Sequence, residues 1–370
     1  MKKNVLKRTF SLLLVAVMTL SLAACGGKTD EPAPEDSDAP VQSTEKTDDK
    51  VYTLQMSSTV NEDHLVTKTD RYFIERVEEL SGGRLKIEFY PNNQLGDPRS
   101  MLEATTMGNN DICDVGLPQY SNFTNALKFF SLPFLWETRD AAYSFLSTET
   151  GEAIRKQVEE EAGIHILGFT DDGFFDFTSN KKMLTPDDVK GFKIRCQESD
   201  VLLQTWTDLG ASPLPMSFSE VYTALQQGAI DGQMNGYITN YNSGYYEVQQ
   251  YIHQVGLLFD VMVVGMSADS YYALPEDLQA VLDQAGAEMQ QWSIQAAREE
   301  NQRCADGWVE KGGEIIDMTD PETQALWREA TQPTYDWFRE SFPEVDLDAI
   351  LETVDELNAQ YESAKADEVI

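Results

Sequence analysis

Beyond residue 50 the chain repeats one grammar: a short apolar run, an amphipathic stretch with helix start and stop signals, then another short apolar run. "VYTLQMSS" reads as a strand. "TKTDRYFIERVEELSGG" follows as an amphipathic helix, with Phe73, Ile74, Val77 and Leu80 on one face and Gly82 and Gly83 as its stop. "RLKIEFYP" alternates Leu85, Ile87 and Phe89 toward one side, as a half-buried strand does. Asp97 and Pro98 supply a cap and a first-turn proline for a helix through Met107, and "DICDVGL" is the next strand. Strand and helix alternating at this spacing specify an α/β fold, a mostly parallel sheet covered by helices.

The grammar returns after residue 190. "GFKIRC" reads as a strand, "ESDVLLQTWTDLG" as a helix closed by Gly210, and "SFSEVYTALQQG" as a helix capped by Ser217 or Ser219 and stopped by Gly228. "AIDGQM" is the strand after it. Two α/β units in one chain imply two lobes with a cleft between them. From Pro275 onward long acidic amphipathic helices dominate, their charges forming a solvated face.

The first 50 residues obey different rules. Lys2, Lys3, Lys7 and Arg8 precede an uncharged run from Phe10 to Ala24, which is too short to span a bilayer and reads as a secretory leader, residues 1–24. "LAAC" at its end resembles a bacterial lipobox, which makes Cys25 the expected site of lipidation and the first mature residue. The remainder of residues 25–50 is rich in Pro, Asp, Glu, Ser and Thr without an apolar period, so it is expected to be a disordered acidic tether. The expected location is the extracytoplasmic face of the bacterial cell membrane, held there by the lipid alone.

Charge and chemistry narrow the function classes. The formal net charge is -35 over 370 residues. A surface this acidic repels nucleic acid and anionic lipid headgroups. Cys113, Cys196 and Cys304 are widely spaced and odd in number, which argues for buried thiols over a disulfide framework, with a single pair left open. His64, His165 and His253 lie far apart and in no metal-ligand spacing. No His-Glu-x-x-His, Cys-x-x-Cys or Gly-x-Ser-x-Gly motif occurs. The sequence therefore asks for no catalytic residue, no metal and no cofactor.

Arg195, ending the apolar strand of "GFKIRC", stands out against that acidity. Its planar fork of donors can meet a carboxylate through two charge-assisted hydrogen bonds, and the C-terminal end of a sheet strand is the usual place for a ligand in an open α/β fold. The alternative is a structural pair with an abundant acid such as Glu198.

"GRLKIEFYPNNQLGDPRSMLEATTMGNNDI", "SLPFLW", "TPDDVKGFKIRC", "LGASPLPMSFSEVYTALQQGAIDGQMNG" and "YYEVQQYI", in this order, resemble the extracytoplasmic solute-binding proteins of TRAP (tripartite ATP-independent periplasmic) transporters, of dicarboxylate-receptor type, over most of Val51 to Leu357. The resemblance implies a two-lobed Venus-flytrap receptor, residues 51–172 plus 261–300 forming one lobe and 173–260 plus 301–370 the other. It also implies closure around a small organic acid and docking onto an ion-coupled integral membrane permease. It carries the carboxylate anchor onto Arg195, an assisting amide onto Asn235 of "DGQMN", and an apolar wall onto Phe218.

Departures from the family pattern are informative. Many members carry a second carboxylate-contacting arginine just before a "TSN" segment, where this chain has Phe175 in "GFFDFTSN". That substitution favours a monocarboxylate such as a sugar acid. It leaves Phe175 either a stacking surface for the ligand or a core residue beside Phe174 and Phe177. Ser57 and Ser58, His64, and Gln119 with Tyr120 are expected at cleft-edge loops of the first lobe. A sensor or binding protein of another system, or an enzyme on the same fold, would share this architecture.

Overall fold

The computed structural model describes residues 50–367. The expected leader, Cys25 and the tether before Lys50 lie outside the described residues.

Nine strands form one sheet: β1 (Tyr52–Ser58), β2 (Leu85–Tyr90), β3 (Ile112–Gly116), β4 (Ile164–Ser179), β5 (Lys193–Cys196), β6 (Ser212–Pro215), β7 (Gly232–Asn235), β8 (Tyr251–Ser267) and β9 (Glu314–Asp317). Their order is β2-β1-β3-β8-β4-β7-β5-β6, with β9 also on β8. The two α/β units sit at opposite ends: β2, β1 and β3 pair in parallel, as do β6, β5 and β7. The long antiparallel pair β4 and β8 joins them. Residues 262–266 of β8 pair with β3, whereas 251–254 pair with β9 and Asp176 and Phe177 of β4 pair with β7. The changeover falls at Gly173, opposite Asp260, where the register slips. Gly173 takes φ +83°, a conformation that only glycine adopts without strain.

Local chemistry explains most element ends. Asp97 Oδ1 accepts from Ser100 N at 2.7 Å and opens the helix Pro98–Thr106. The first helix is Leu65–Leu80, capped by His64, whose Nδ1 accepts from Val66 N at 3.2 Å. It ends before Gly82 and Gly83, both at positive φ. Ser217 and Ser219 do not cap as expected: a 3-10 turn, Phe218–Glu220, leads into the helix Val221–Gln226 without a side-chain cap.

The 35-residue helix Glu276–Glu310 packs along β4, from Met289 near one end of the sheet to Trp308 near the other. Contact is backbone to backbone at Gly286, where an added Cβ would stand 2.2 Å from Leu167 O. One core gathers Phe129, Phe145 and Phe169, and a second gathers Phe175, Phe177, Trp206 and Trp327. Phe338, Leu347, Ile350 and Val354 join the first of these. The helix Leu347–Gln360, expected with the second lobe, buries its apolar face against the helix Arg139–Leu146. Cys113, Cys196 and Cys304 are free buried thiols. No helix among the described residues is long and apolar enough to cross a membrane.

Candidate functional site

Where the two units meet, a small cavity of about 40 Å³ is lined from both sides. Arg195, Gln197, Phe218, Asn235 and Thr239 come from the second unit, and Thr59, Val60, Gly116 and Gln119 from the first. Asp172 of β4 and Met262 of β8 supply the floor at the changeover.

Arg195 is 1% exposed. Its Nε donates to Met216 O at 3.0 Å, which fixes the plane of the fork, while Nη1 has no partner among the described residues. Glu198, the alternative partner, lies 3.9 Å from Arg99 instead. Burial lowers the guanidinium below its ordinary value. An arginine nonetheless stays charged at neutral pH, so the wall presents a desolvated cation with donors to spare.

Asn235 ends β7 and is held from behind. Its backbone oxygen accepts from Asn240 Nδ2 at 3.1 Å, and its Nδ2 donates one proton to Gln233 Oε1, leaving the other free. Phe218 packs its ring against Val60, Val66 and Met262, making one wall apolar. Gln119 sits in the 3-10 turn Leu117–Asn122 that follows β3, and its side-chain amide has no hydrogen bond among the described residues.

Three expected residues stand elsewhere. Ser57 is still inside β1, paired to β2 and β3, and its Oγ accepts from Asn110 Nδ2 at 2.9 Å; Thr59 and Val60 reach the cavity in its place. Phe175 is fully buried among Phe177, Trp206 and Leu258, so of its two expected roles the structure places it in the core. His64 stands one residue behind the lining. Its Nδ1 accepts the Val66 amide, which puts the proton on Nε2; that N–H meets Thr239 Oγ1 at 3.1 Å, and Thr239 donates to Asp172 Oδ1 at 3.2 Å. Burial pushes His64 down to about 4, so the imidazole is neutral and the polarity of this chain is fixed.

Asp172 is the residue that sequence reasoning missed. It is 6% exposed, and burial, then the neighbouring Asp260, hold its carboxyl well above the usual carboxylate range. Asp260 takes Gln197 Nε2 at 3.2 Å and is itself pushed up to about 7 by burial. Two adjacent acids inside an otherwise apolar strand, "GFTDDGFF", were the available signal. The cavity thus offers a cation with open donors at one wall and an acceptor at the floor. A ligand that brings one carboxylate to Arg195 and a hydroxyl to Asp172 satisfies both, whereas a second carboxylate finds no second cation among the lining residues.

The family model described as bacterial extracellular solute-binding protein, family 7 (DctP) matches residues 56–341. The chain is 32% identical over 285 residues to the C4-dicarboxylate-binding periplasmic protein DctP of Vibrio cholerae, covering 74% of this chain and 84% of that protein. A TRAP periplasmic solute-binding protein of Shewanella oneidensis, solved with succinate, aligns with TM-score 0.78 at 28% identity, over 84% of this chain and 99% of that one. Another from Roseobacter denitrificans, with L-galactonate, gives TM-score 0.72 at 27% identity, over 76% and 93%.

Proposed function

Since the chain belongs to the bacterial extracellular solute-binding protein family 7, the DctP-type receptors of TRAP transporters, we propose that Arg195 anchors the single carboxylate of a small hydroxylated organic acid, which the receptor delivers to an integral membrane permease. The observation that carries this reading is the buried guanidinium with an open Nη1 on the cavity wall. Asp172 at the floor and Phe175 in the core favour a monocarboxylate such as a sugar acid over the dicarboxylate of the Vibrio relative's name. Sugar acids are within the reach of this fold, as the galactonate-bound neighbour illustrates.

The two lobes meet at the Gly173 changeover, residues 51–172 plus 261–300 forming one and 173–260 the core of the other, with 347–360 returning to the first. Ligand in the cleft stabilises the closed arrangement. The receptor works without catalysis or cofactor, on the extracytoplasmic face, tethered through a lipid on Cys25.

Titration calorimetry of the purified full chain with D-galactonate, D-glucuronate, succinate and galactose tests the reading. Saturable binding of a sugar acid, returned chemically unchanged and lost in Arg195→Ala, is the expected result. Binding of galactose alone, or of the acids with equal affinity in Arg195→Ala, overturns it.

A further inference from the structure

A second and larger cavity, about 240 Å³, lies away from Arg195 near the strand changeover. Its volume is that of about eight water molecules in the liquid. The walls are aromatic, from Trp136, Phe174 and Tyr237, and are joined by Asp176, Gly256 and Asn301. The two cavities share a short stretch of chain: Asn235 lines the first and Tyr237 the second. Gly236 between them is packed so closely that an added Cβ would stand 2.7 Å from Asp172 O.

The polar groups of this cavity are incompletely used. Asp176 is 3% exposed; its Oδ1 accepts from Val255 N at 2.9 Å and from Gly256 N at 2.8 Å, while Oδ2 has no partner among the described residues. Asn301 is 4% exposed, and its side-chain amide makes no hydrogen bond there either. The hydroxyl of the buried Tyr237 is likewise unpartnered. Arg328, at the rim, is committed to Glu137 at 3.2 Å. Among the described lining residues, Asp176 is therefore the acid without a cationic partner, beside two open acceptors and the faces of aromatic rings. A buried carboxylate wants a cationic donor, and aromatic faces attract the same cation.

We propose that this cavity is a second small-molecule site, which takes an aromatic or similarly apolar primary amine with its ammonium on Asp176 and Asn301. The amine supplies three donors to groups that lack them, and its body covers Trp136 and Phe174. Burial pushes the Asp176 carboxyl up to about 7, so an ammonium alongside would restore its charge. The site is chemically opposite to the first cavity, which is built to hold an anion.

Benzylamine and benzyl alcohol, nearly equal in shape and different in charge, are the probes. Calorimetry on the full chain is expected to show saturable benzylamine binding, with benzyl alcohol at least about ten-fold weaker. Asp176→Asn keeps the Oδ1 acceptor for both backbone amides, and it is expected to weaken benzylamine about ten-fold or more while leaving D-galactonate binding unchanged. Arg195→Ala is expected to leave benzylamine binding intact. No saturation below about ten millimolar, equal affinity for the two probes, or loss in Arg195→Ala but not in Asp176→Asn would each overturn the proposal. The probe pair decides the matter on the unmodified chain if Asp176→Asn does not fold.

Discussion

Thr239 donates to Asp172 across the strand changeover, from the helix Tyr237–Asn242 to β4, at 3.2 Å. Because Thr239 is itself held by the neutral His64, it has no proton to spare for a ligand, and Asp172 remains the acceptor. Thr239→Val strips Asp172 of a donor and His64 of an acceptor, all in buried surroundings. Urea unfolding is expected to show a loss of about 1–3 kcal/mol, the cost of orphaned buried polar groups. An unchanged midpoint would mean that the chain of hydrogen bonds contributes nothing.

Removing Arg195 separates binding from stability. The guanidinium is buried with part of its fork unpaired, so Arg195→Ala relieves a desolvated charge while it removes the proposed anchor. A charge-assisted hydrogen bond contributes about 1.5–3 kcal/mol, so ligand affinity should fall ten-fold to more than a hundred-fold. The melting temperature of the empty protein should change little. A large drop in that temperature would make Arg195 a structural residue.

Several buried groups make stability depend on pH in a definite direction. Asp114, Asp176 and Asp260 are each pushed up to about 7 by burial, so the native state keeps protons that the unfolded chain releases near 4. Their contribution is greatest on the acid side and is lost as pH rises through 7. His165 is raised by Asp283 and Glu159 against the opposing effect of burial, and it acts in the same sense. His64 and His253, lowered to about 4 by burial, oppose this only below 6.5, where the unfolded chain takes up protons that the native state refuses. The melting temperature should therefore fall as pH rises from 6.5 through 7 and then level off. Each pH unit between the unfolded value near 4 and the folded value costs about 1.4 kcal/mol for each carboxyl, and the loss levels off above it. A flat or rising curve in that interval would contradict the assignment.

Gly286→Ala probes the contact between the long helix and β4. A methyl group 2.2 Å from Leu167 O cannot be housed without moving the helix off the sheet. Overpacking of this kind costs about 1–3 kcal/mol, here against the better helix propensity of alanine. Chemical denaturation should show a net loss, and a gain would mean that the helix shifts freely.

Sequence periodicity made β1, β2, β3, β5 and β7 legible, whereas the long pair β4 and β8, buried on both faces, carries no alternation and was not read. Arg195's place on the cavity lining was legible from the end of its strand, and Asn235's from the family resemblance alone. Ser57 was misplaced by a single step: β1 keeps its pairing through Ser58, so the cavity begins at Thr59. Asp172 was hidden by a backbone irregularity, since the slip at Gly173 breaks the alternation that would have shown which way each acid faces. The return of 347–360 to the first unit depends on apolar surface formed only after folding, and no local pattern announces it.

The buried thiols have one more consequence. Cys113, Cys196 and Cys304 are each pushed up to about 12 by burial, and none is cross-linked. The thiolate is the reactive form, so these sulfurs are poor targets for oxidants and alkylating agents alike. The fold of the described residues thus rests on no disulfide, and its three thiols need no reducing compartment to stay intact.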